Sequence, residues 1–364
     1  MSEIIIGRPV PEKLETGLDI PNISFYDVRK APFTLYGLYA PASEKPFKRL
    51  PKSVASETSP AVMRLSLQTA GGRVRFSTDS DFIAIKAVMP YVSRFAHMPL
   101  TGTSGFDLYI DSDGGSRFCK LFKPEPDMEG GYESVIRFKE RKMRSFTINF
   151  PSYNALDELY VGLASDAAVG SGREYRTALP VVFYGSSITQ GACTSRPGLT
   201  YENMISRKYD LDYLNFGFSG NARAEDTIVE YMASLPMLAF VSDYDHNAPS
   251  VEHLQKTHCR MYETVRRANP DIPYIMLSRP DYFRDVEDSI ARRDVVIDTF
   301  RYARSQGDTR AFYIDGEGIF KGPYEDSCCV DGTHPNDIGM MMMAESIGKL
   351  LERALRGHPF PSAN

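Results

Sequence analysis

Val181-Val182-Phe183-Tyr184-Gly185-Ser186-Ser187-Ile188-Thr189-Gln190-Gly191 opens with an apolar run too short for a helix, bounded by a glycine and two serines. Such a run reads as a short strand buried on both faces. The strand gives way to a strand-to-helix turn. Ser187 sits in it with an exposed hydroxyl and a backbone N–H directed to the ligand side. A serine in that place is a normal nucleophile, although Gly-Ser-Ser alone is also a common turn sequence.

Toward the C-terminus the same alternation repeats. Helical spacing covers Tyr201–Tyr209, Glu225–Ser234, Val251–Asn269, Glu287–Ser305 and a last helix from about Asn336 to Arg356. Between these lie the apolar runs Leu214–Phe216, Leu238–Val241, Tyr274–Leu277 and Phe312–Ile314. Strand–helix alternation predicts an α/β fold: a parallel sheet with helices on both faces, in three α/β/α layers. Sites in such sheets form at the carboxyl ends of the strands. The methionine run Met340–Met343 reads as core packing on the last helix.

Toward the N-terminus the pattern changes character near residue 170. Val74 and Phe76, then Phe82, Ile83 and Ile85, flank a turn. Phe106, Leu108 and Ile110 alternate up to the turn Asp113-Gly114-Gly115, after which Phe118 resumes. Phe146, Ile148 and Phe150 alternate again before Leu159–Leu163. Closely spaced strands broken by Gly, Pro, Asp and Ser predict an all-β sandwich of jelly-roll type. The length of 364 residues favours two domains. Their expected bounds are 1–166 for the sandwich and 180–364 for the α/β domain. Residues 167–179, which begin with the small-residue stretch Ala167–Gly172, read as a linker.

Hydrophobic residues make up 42% of the chain and charged residues 24%, at a formal net charge of -5. This mild acidity gives no reason to expect nucleic acid or an anionic membrane as a partner. The run Ile4-Ile5-Ile6 is too short for a signal peptide, and no segment approaches transmembrane length. The chain reads as cytoplasmic, although a leader already removed would leave no trace. The cysteines are Cys119, Cys193, Cys259, Cys328 and Cys329. Their odd number and spacing match neither a zinc site nor a redox pair, so they read as free, buried thiols.

Three further segments carry candidate chemistry. Asn215–Asn221 comes after the second strand of the α/β half, and its glycines allow close backbone approach to a ligand. Asp243-Tyr244-Asp245-His246-Asn247-Ala248-Pro249 comes after the third, where an asparagine side chain can donate to an oxyanion. Val330–Asp337 holds Asp331 three residues before His334, a spacing that lets a carboxylate steady an imidazole. Asn336 or Asp337 can cap the last helix.

The chain has only six histidines. His97 falls in the sandwich half, and His253 and His258 lie five apart on one helix, a spacing that puts them on different faces. His358 is in the tail. His246, beside Asn247, is a candidate pocket residue, as is Arg279 at the end of the fourth strand. Only His334 combines a nearby carboxylate with a proline directly after it. Arg196-Pro197-Gly198 is divided evenly between substrate contact and surface turn, and Asp111–Gly114 reads as a hairpin turn rather than a calcium loop. No G-x-S-x-G, P-loop or dinucleotide fingerprint is present, which disfavours an α/β-hydrolase, an NTPase and a dinucleotide enzyme.

The order Ser187, Gly220, Asn247, then Asp331 and His334 resembles the four-block signature of the SGNH (GDSL-like) hydrolase superfamily over about residues 180–356. Ser186 stands where the family usually has aspartate, and Asp245 and Ala248 take the outer places of its Gly-x-Asn-Asp block. The resemblance implies a flavodoxin-like sheet. It makes Ser187 the nucleophile, His334 the base and Asp331 its orienting carboxylate. The backbone N–H groups of Ser187 and Gly220 and the side chain of Asn247 then bind the oxyanion. It implies no metal and no cofactor. The expected activity is that of a serine esterase, with short acyl groups on a carbohydrate as substrate. An acyltransferase using the same residues, or a non-catalytic binding protein on the same fold, is the alternative. The absence of tryptophan counts against a sugar-stacking surface, but 21 tyrosines can substitute.

Overall fold

A computed structural model describes residues 14–356; Ile4-Ile5-Ile6 and His358 lie outside the described residues. The first half of the chain runs β1 (Ile23–Asp27), β2 (Thr34–Tyr36), α1 (Lys52–Thr58), α2 (Pro60–Leu65), β3 (Arg73–Thr78) and β4 (Phe82–Val88). It continues with α3 (Leu100–Thr103), β5 (Phe106–Ser112), β6 (Gly115–Phe122), β7 (Gly131–Arg137), β8 (Arg144–Asn149), β9 (Glu158–Ala164) and β10 (Val169–Ser171). The second half runs β11 (Val181–Gly185), α4 (Ser187–Gln190), α5 (Tyr201–Tyr209), β12 (Tyr213–Gly217), α6 (Asp226–Ser234), β13 (Ala239–Asp243) and α7 (Val251–Ala268). It ends with β14 (Tyr274–Leu277), α8 (Val286–Ser305), β15 (Ala311–Ile314), α9 (Glu317–Phe320) and α10 (Asp337–Leu355). Among the described residues no helix is long and apolar enough to cross a membrane.

Two compact units emerge. The first holds the described residues up to Arg49, Leu67–Glu174 and Ser195–Gly198. It is a sandwich of two antiparallel sheets, ordered β1-β9-β4-β7 and β10-β3-β8-β5-β6, with β2 paired to β3. Alternate residues of both sheets meet in one core, Ile83, Ile85 and Val161 from one and Val74, Phe76, Phe106 and Ile148 from the other. Within this unit Arg196 pairs with the buried Asp107 at 2.8 Å and lies over the Phe118 ring at 3.8 Å. Gly198 donates its N–H to the same carboxylate at 2.8 Å. These residues are therefore tied into the sandwich, not left as a free turn.

The second unit holds Leu50–Ser66, Tyr175–Thr194 and the described residues from Leu199 onward. Its five-stranded sheet is ordered β12-β11-β13-β14-β15, and every pairing is parallel. Side chains alternate across it, as the pleat requires. Val182, Tyr184, Phe240, Tyr274 and Met276 face one core with α6, α7 and α8. Val181, Phe183, Val241, Ile275 and Leu277 face the other with α5 and α10, where Met340 and Met343 are buried. This is the three-layer arrangement expected from the sequence.

The division differs from a single cut near residue 170. Leu50–Ser66 joins the second unit because Leu50, Ala55, Val62 and Leu65 bury their apolar side chains in the core beneath α6 and α7. The stretch 167–179, expected as a linker, contains β10, which pairs antiparallel with β3. Its glycines serve close approach: a Cβ at Gly172 would come within 2.6 Å of Phe76 N.

Candidate active site

The sheet order reverses between β11 and β13, so a crevice opens at their carboxyl ends. Ser187 begins α4 directly after β11. Ser186 caps this turn, its hydroxyl accepting from the Ile188 N–H at 3.1 Å. Gly185 has no room for a side chain, because a Cβ would lie 2.1 Å from Thr189 Oγ1 and 2.4 Å from the Asp243 carbonyl. Gly191, at φ 98°, closes the turn in the left-handed conformation. Ser187 itself is 7% exposed.

The loop before α10 brings up the imidazole. Asn336 caps that helix, accepting from Ile338 N at 2.9 Å and Gly339 N at 3.3 Å. One oxygen of Asp331 accepts the backbone N–H groups of Thr333 at 3.1 Å and His334 at 2.8 Å. The other meets His334 Nδ1 at 2.8 Å. His334 Nε2 then lies 2.9 Å from Ser187 Oγ. Burial tends to raise the Asp331 pKa, but the hydrogen bonds from His334 and Thr333 outweigh it and hold it at about 2. An ionised Asp331 selects the Nδ1–H tautomer and leaves the Nε2 lone pair facing the hydroxyl proton.

The Gly220 loop is anchored to the Ser187 turn. Phe218 N–H donates to the Gly185 carbonyl at 2.9 Å, and Ser219 N–H to Gln190 Oε1 at 3.0 Å. A Cβ at Gly217 would strike Gln190 N at 2.2 Å. Gly220 has open space around it but a φ of 68°, so backbone conformation is what favours glycine there. Asn247 ends the short helical turn Asp245–Asn247, and its Oδ1 accepts the Ala222 N–H at 3.3 Å. That bond couples the two loops and makes Nδ2 the donor end of the amide.

His246 and Arg279 lead inward, into a buried charge cluster, and not to a substrate surface. His246 Nε2 meets Asp281 Oδ1 at 2.8 Å and Nδ1 lies 3.4 Å from Asp245 Oδ1. Burial alone would lower the His246 pKa, but the Asp281 and Asp245 carboxylates overcome it and raise it to about 10. Arg279 Nε pairs with Asp281 at 2.9 Å and Nη1 with Asp288 at 2.7 Å. The same groups hold Asp281 well below the usual carboxylate range, against its burial. Gln190, Asp281, Asp288 and Arg292 carry no motif that marks them in the sequence. The available signal is Arg292 at helical spacing from Ser289, Val296 and Thr299, a charge on a face that the structure buries. No disulfide joins the five cysteines, of which Cys193 and Cys328 are buried and the other three half-buried, not all buried as expected; burial, and then the Asp331 charge, push the Cys193 thiol up to about 12.

Residues 178–352 match the GDSL-like lipase/acylhydrolase family. Residues 23–169 match the N-terminal domain of SGNH-hydrolase-type esterases. No curated protein sequence matches the chain. Among solved structures, a candidate GDSL-like lipase from Bacteroides ovatus is 26% identical, with a TM-score of 0.83, covering 92% of this chain and 98% of its own. The salicylyl-acyltransferase SsfX3 from a tetracycline biosynthetic pathway is 18% identical, with a TM-score of 0.76, covering 94% of this chain and 99% of its own. A family two carbohydrate esterase from Clostridium thermocellum, solved as an active-site mutant with a cello-oligosaccharide, is 10% identical. Its TM-score is 0.63, and the match covers 89% of this chain and 98% of that one. Residues 178–352 thus belong to the SGNH (GDSL-like lipase/acylhydrolase) family, and residues 23–169 are the N-terminal domain of SGNH-hydrolase-type esterases.

Proposed function

We propose that the protein is a serine esterase that cleaves carboxylic esters through an acyl-serine intermediate, with short acyl groups on carbohydrate as its substrates. One observation carries the reading: Ser187 Oγ lies 2.9 Å from His334 Nε2 while Asp331 holds Nδ1 at 2.8 Å. His334 takes the Ser187 proton as the oxygen attacks the acyl carbon. The resulting oxyanion is met by the backbone N–H groups of Ser187 and Gly220 and by Asn247 Nδ2. The imidazolium, stabilised by Asp331, protonates the departing alcohol. Water then enters, loses a proton to His334, and releases the acid. The carbohydrate assignment rests on the family resemblance alone.

A fluorophosphonate probe should label wild-type protein once, at Ser187, and Ser187→Ala should lose both labelling and turnover of an aryl acetate. Labelling that persists in S187A would sink the assignment. A panel of acylated sugars and lipid esters then tests the substrate class, and indifference to the sugar would remove the carbohydrate reading.

A further inference from the structure

The loop that presents Asn247 is gripped from below by a single guanidinium. Arg292, on α8, is 8% exposed. Its Nη1 donates to the Asp245 carbonyl at 2.6 Å and to the Ala248 carbonyl at 2.9 Å. These two carbonyls bracket His246 and Asn247. Its Nε donates to Asp288 Oδ2 at 2.7 Å, the oxygen that also receives Arg279 Nη1 at 2.7 Å. Arg279 in turn gives its backbone N–H to Asp245 Oδ2 at 2.9 Å. The loop's carbonyls, its Asp245 carboxylate and its His246 imidazole are thus all tied to one charged frame, while Asn247 reaches out of it to the Gly220 loop.

We propose that Arg292 is a positioning residue for oxyanion binding: its two-carbonyl clamp fixes the Asp245–Ala248 loop and so sets where Asn247 Nδ2 points. This rests on the esterase reading above. The chemistry favours positioning over stabilisation. A buried ionic network is weak support for stability when replaced whole by apolar residues, although removing one partner alone, as Arg292→Met does, leaves Asp288 less well paired. A fork of fixed geometry, in contrast, is suited to holding two carbonyls and a carboxylate at once, which a lysine ammonium does less well. A misplacement of about 1 Å can cost about 10²-fold, approaching the roughly 10²–10³ of a donor removed altogether.

The test compares wild type, Arg292→Met and Arg292→Lys, with kcat normalised to the fraction of protein that a fluorophosphonate titrates, so that loss of folded protein does not register. R292M should lose roughly 10- to 100-fold in kcat with KM within about twofold. The Ki of a trifluoromethyl ketone, which forms a tetrahedral oxyanion on serine, should rise by the same factor. R292K should fall between. Wild-type kcat and Ki in R292M would overturn the proposal, as would a rise in KM alone. If R292M does not fold, R292K decides: parallel losses in kcat and ketone binding support the clamp, and wild-type values refute it. A wild type without ester turnover would remove the esterase reading as well, whereas an active wild type matched by its variants would remove only this inference.

Discussion

Ser187 stands on a turn enclosed by its own sheet, whereas His334 stands on a loop that holds itself. Around Ser187 the constraints are long-range. Gly185 and Gly217 leave no space for a Cβ, Gln190 bridges to Ser219, and the Ser186 N–H donates to the Asp243 carbonyl at 3.2 Å. Around His334 they are mostly local, with a long-range hydrogen bond from the Arg284 guanidinium to the Thr333 hydroxyl. Asp331 supplies the hydrogen bonds within three residues, and its side chain is 39% exposed against 21% for His334. The difference separates two ways to fail. The Ser187 turn should lose structure before it loses chemistry, and the His334 loop should lose chemistry with little cost in structure.

The largest effect expected on this contrast is in rate. In Asp331→Asn the side-chain oxygen can still accept the loop N–H groups, but the amide NH2 faces Nδ1. The imidazole must then carry its proton on Nε2, where it cannot accept one from Ser187. The kcat at neutral pH should fall by roughly 10³- to 10⁴-fold. The urea midpoint should move little, because the Asp331 carboxylate is a partly exposed surface group. A D331N enzyme within about tenfold of wild type would show that Asp331 does not set the tautomer.

Next in size is a pair of glycine substitutions that probes the structural side. Gly185→Ala forces a methyl into the Asp243 carbonyl, a backbone atom in the neighbouring strand that cannot swing aside. The cost should be at or above the usual overpacking range of about 1–3 kcal/mol. Gly332→Ala has nothing within 4 Å of its new Cβ and is penalised only for its φ of 83°, about 1 kcal/mol. Urea unfolding of the two variants should therefore separate them clearly, with Gly332→Ala retaining fluorophosphonate labelling. Equal losses would mean that the His334 loop is as tightly built as the Ser187 turn.

The same contrast explains what is legible in the amino-acid sequence. Strand ends and caps are local signals. The helix Tyr201–Tyr209 and the strand Tyr274–Leu277 have the bounds that apolar spacing predicts, and Ser187, Gly220, Asn247 and His334 each lie just after or just before such an element. Packing partners are not local. Leu50–Ser66 offers two short helices, of seven and six residues, whose buried side chains make sense only against the core they share with α6 and α7. β7 mixes buried and half-buried positions without clean alternation, as an edge strand can, so its residues give no strand signal. The charge cluster joins Asp245, Asp281 and Arg292 from three separate segments, and no period in the sequence links them. His246 and Arg279 look like pocket residues in the sequence because they neighbour strand ends, which is where a pocket and its supporting frame look alike.

The effect expected to be smallest at neutral pH, growing only in acid, is in the pH dependence of stability, and it too belongs to the enclosed side. His258 lies under the Asp243–Ala248 segment, stacked on Tyr244 with ring centroids 5.7 Å apart and its Nδ1 2.8 Å from Thr299 Oγ1. Burial lowers its pKa to about 4, with only partial opposition from the Asp245 charge. A histidine kept neutral in the fold but free to protonate when unfolded favours the unfolded chain as pH falls. Its penalty is absent above the unfolded pKa of about 6.5 and grows until the folded pKa near 4, to at most about 3 kcal/mol. His246 has the opposite sign: held as a cation by Asp281 and Asp245, it stabilises fully below about 6.5 and loses that contribution as pH rises toward 10. Asp331, held at about 2 but more than a third exposed, contributes only weakly and titrates below this window. Subtracting the urea-derived stability of His258→Asn from that of wild type should therefore isolate one group. The difference should rise from pH 4 to pH 6.5 and stay level from there to pH 8. A difference flat across the acid range would mean that His258 meets water in the native state and that the floor beneath the Asp243–Ala248 segment is open.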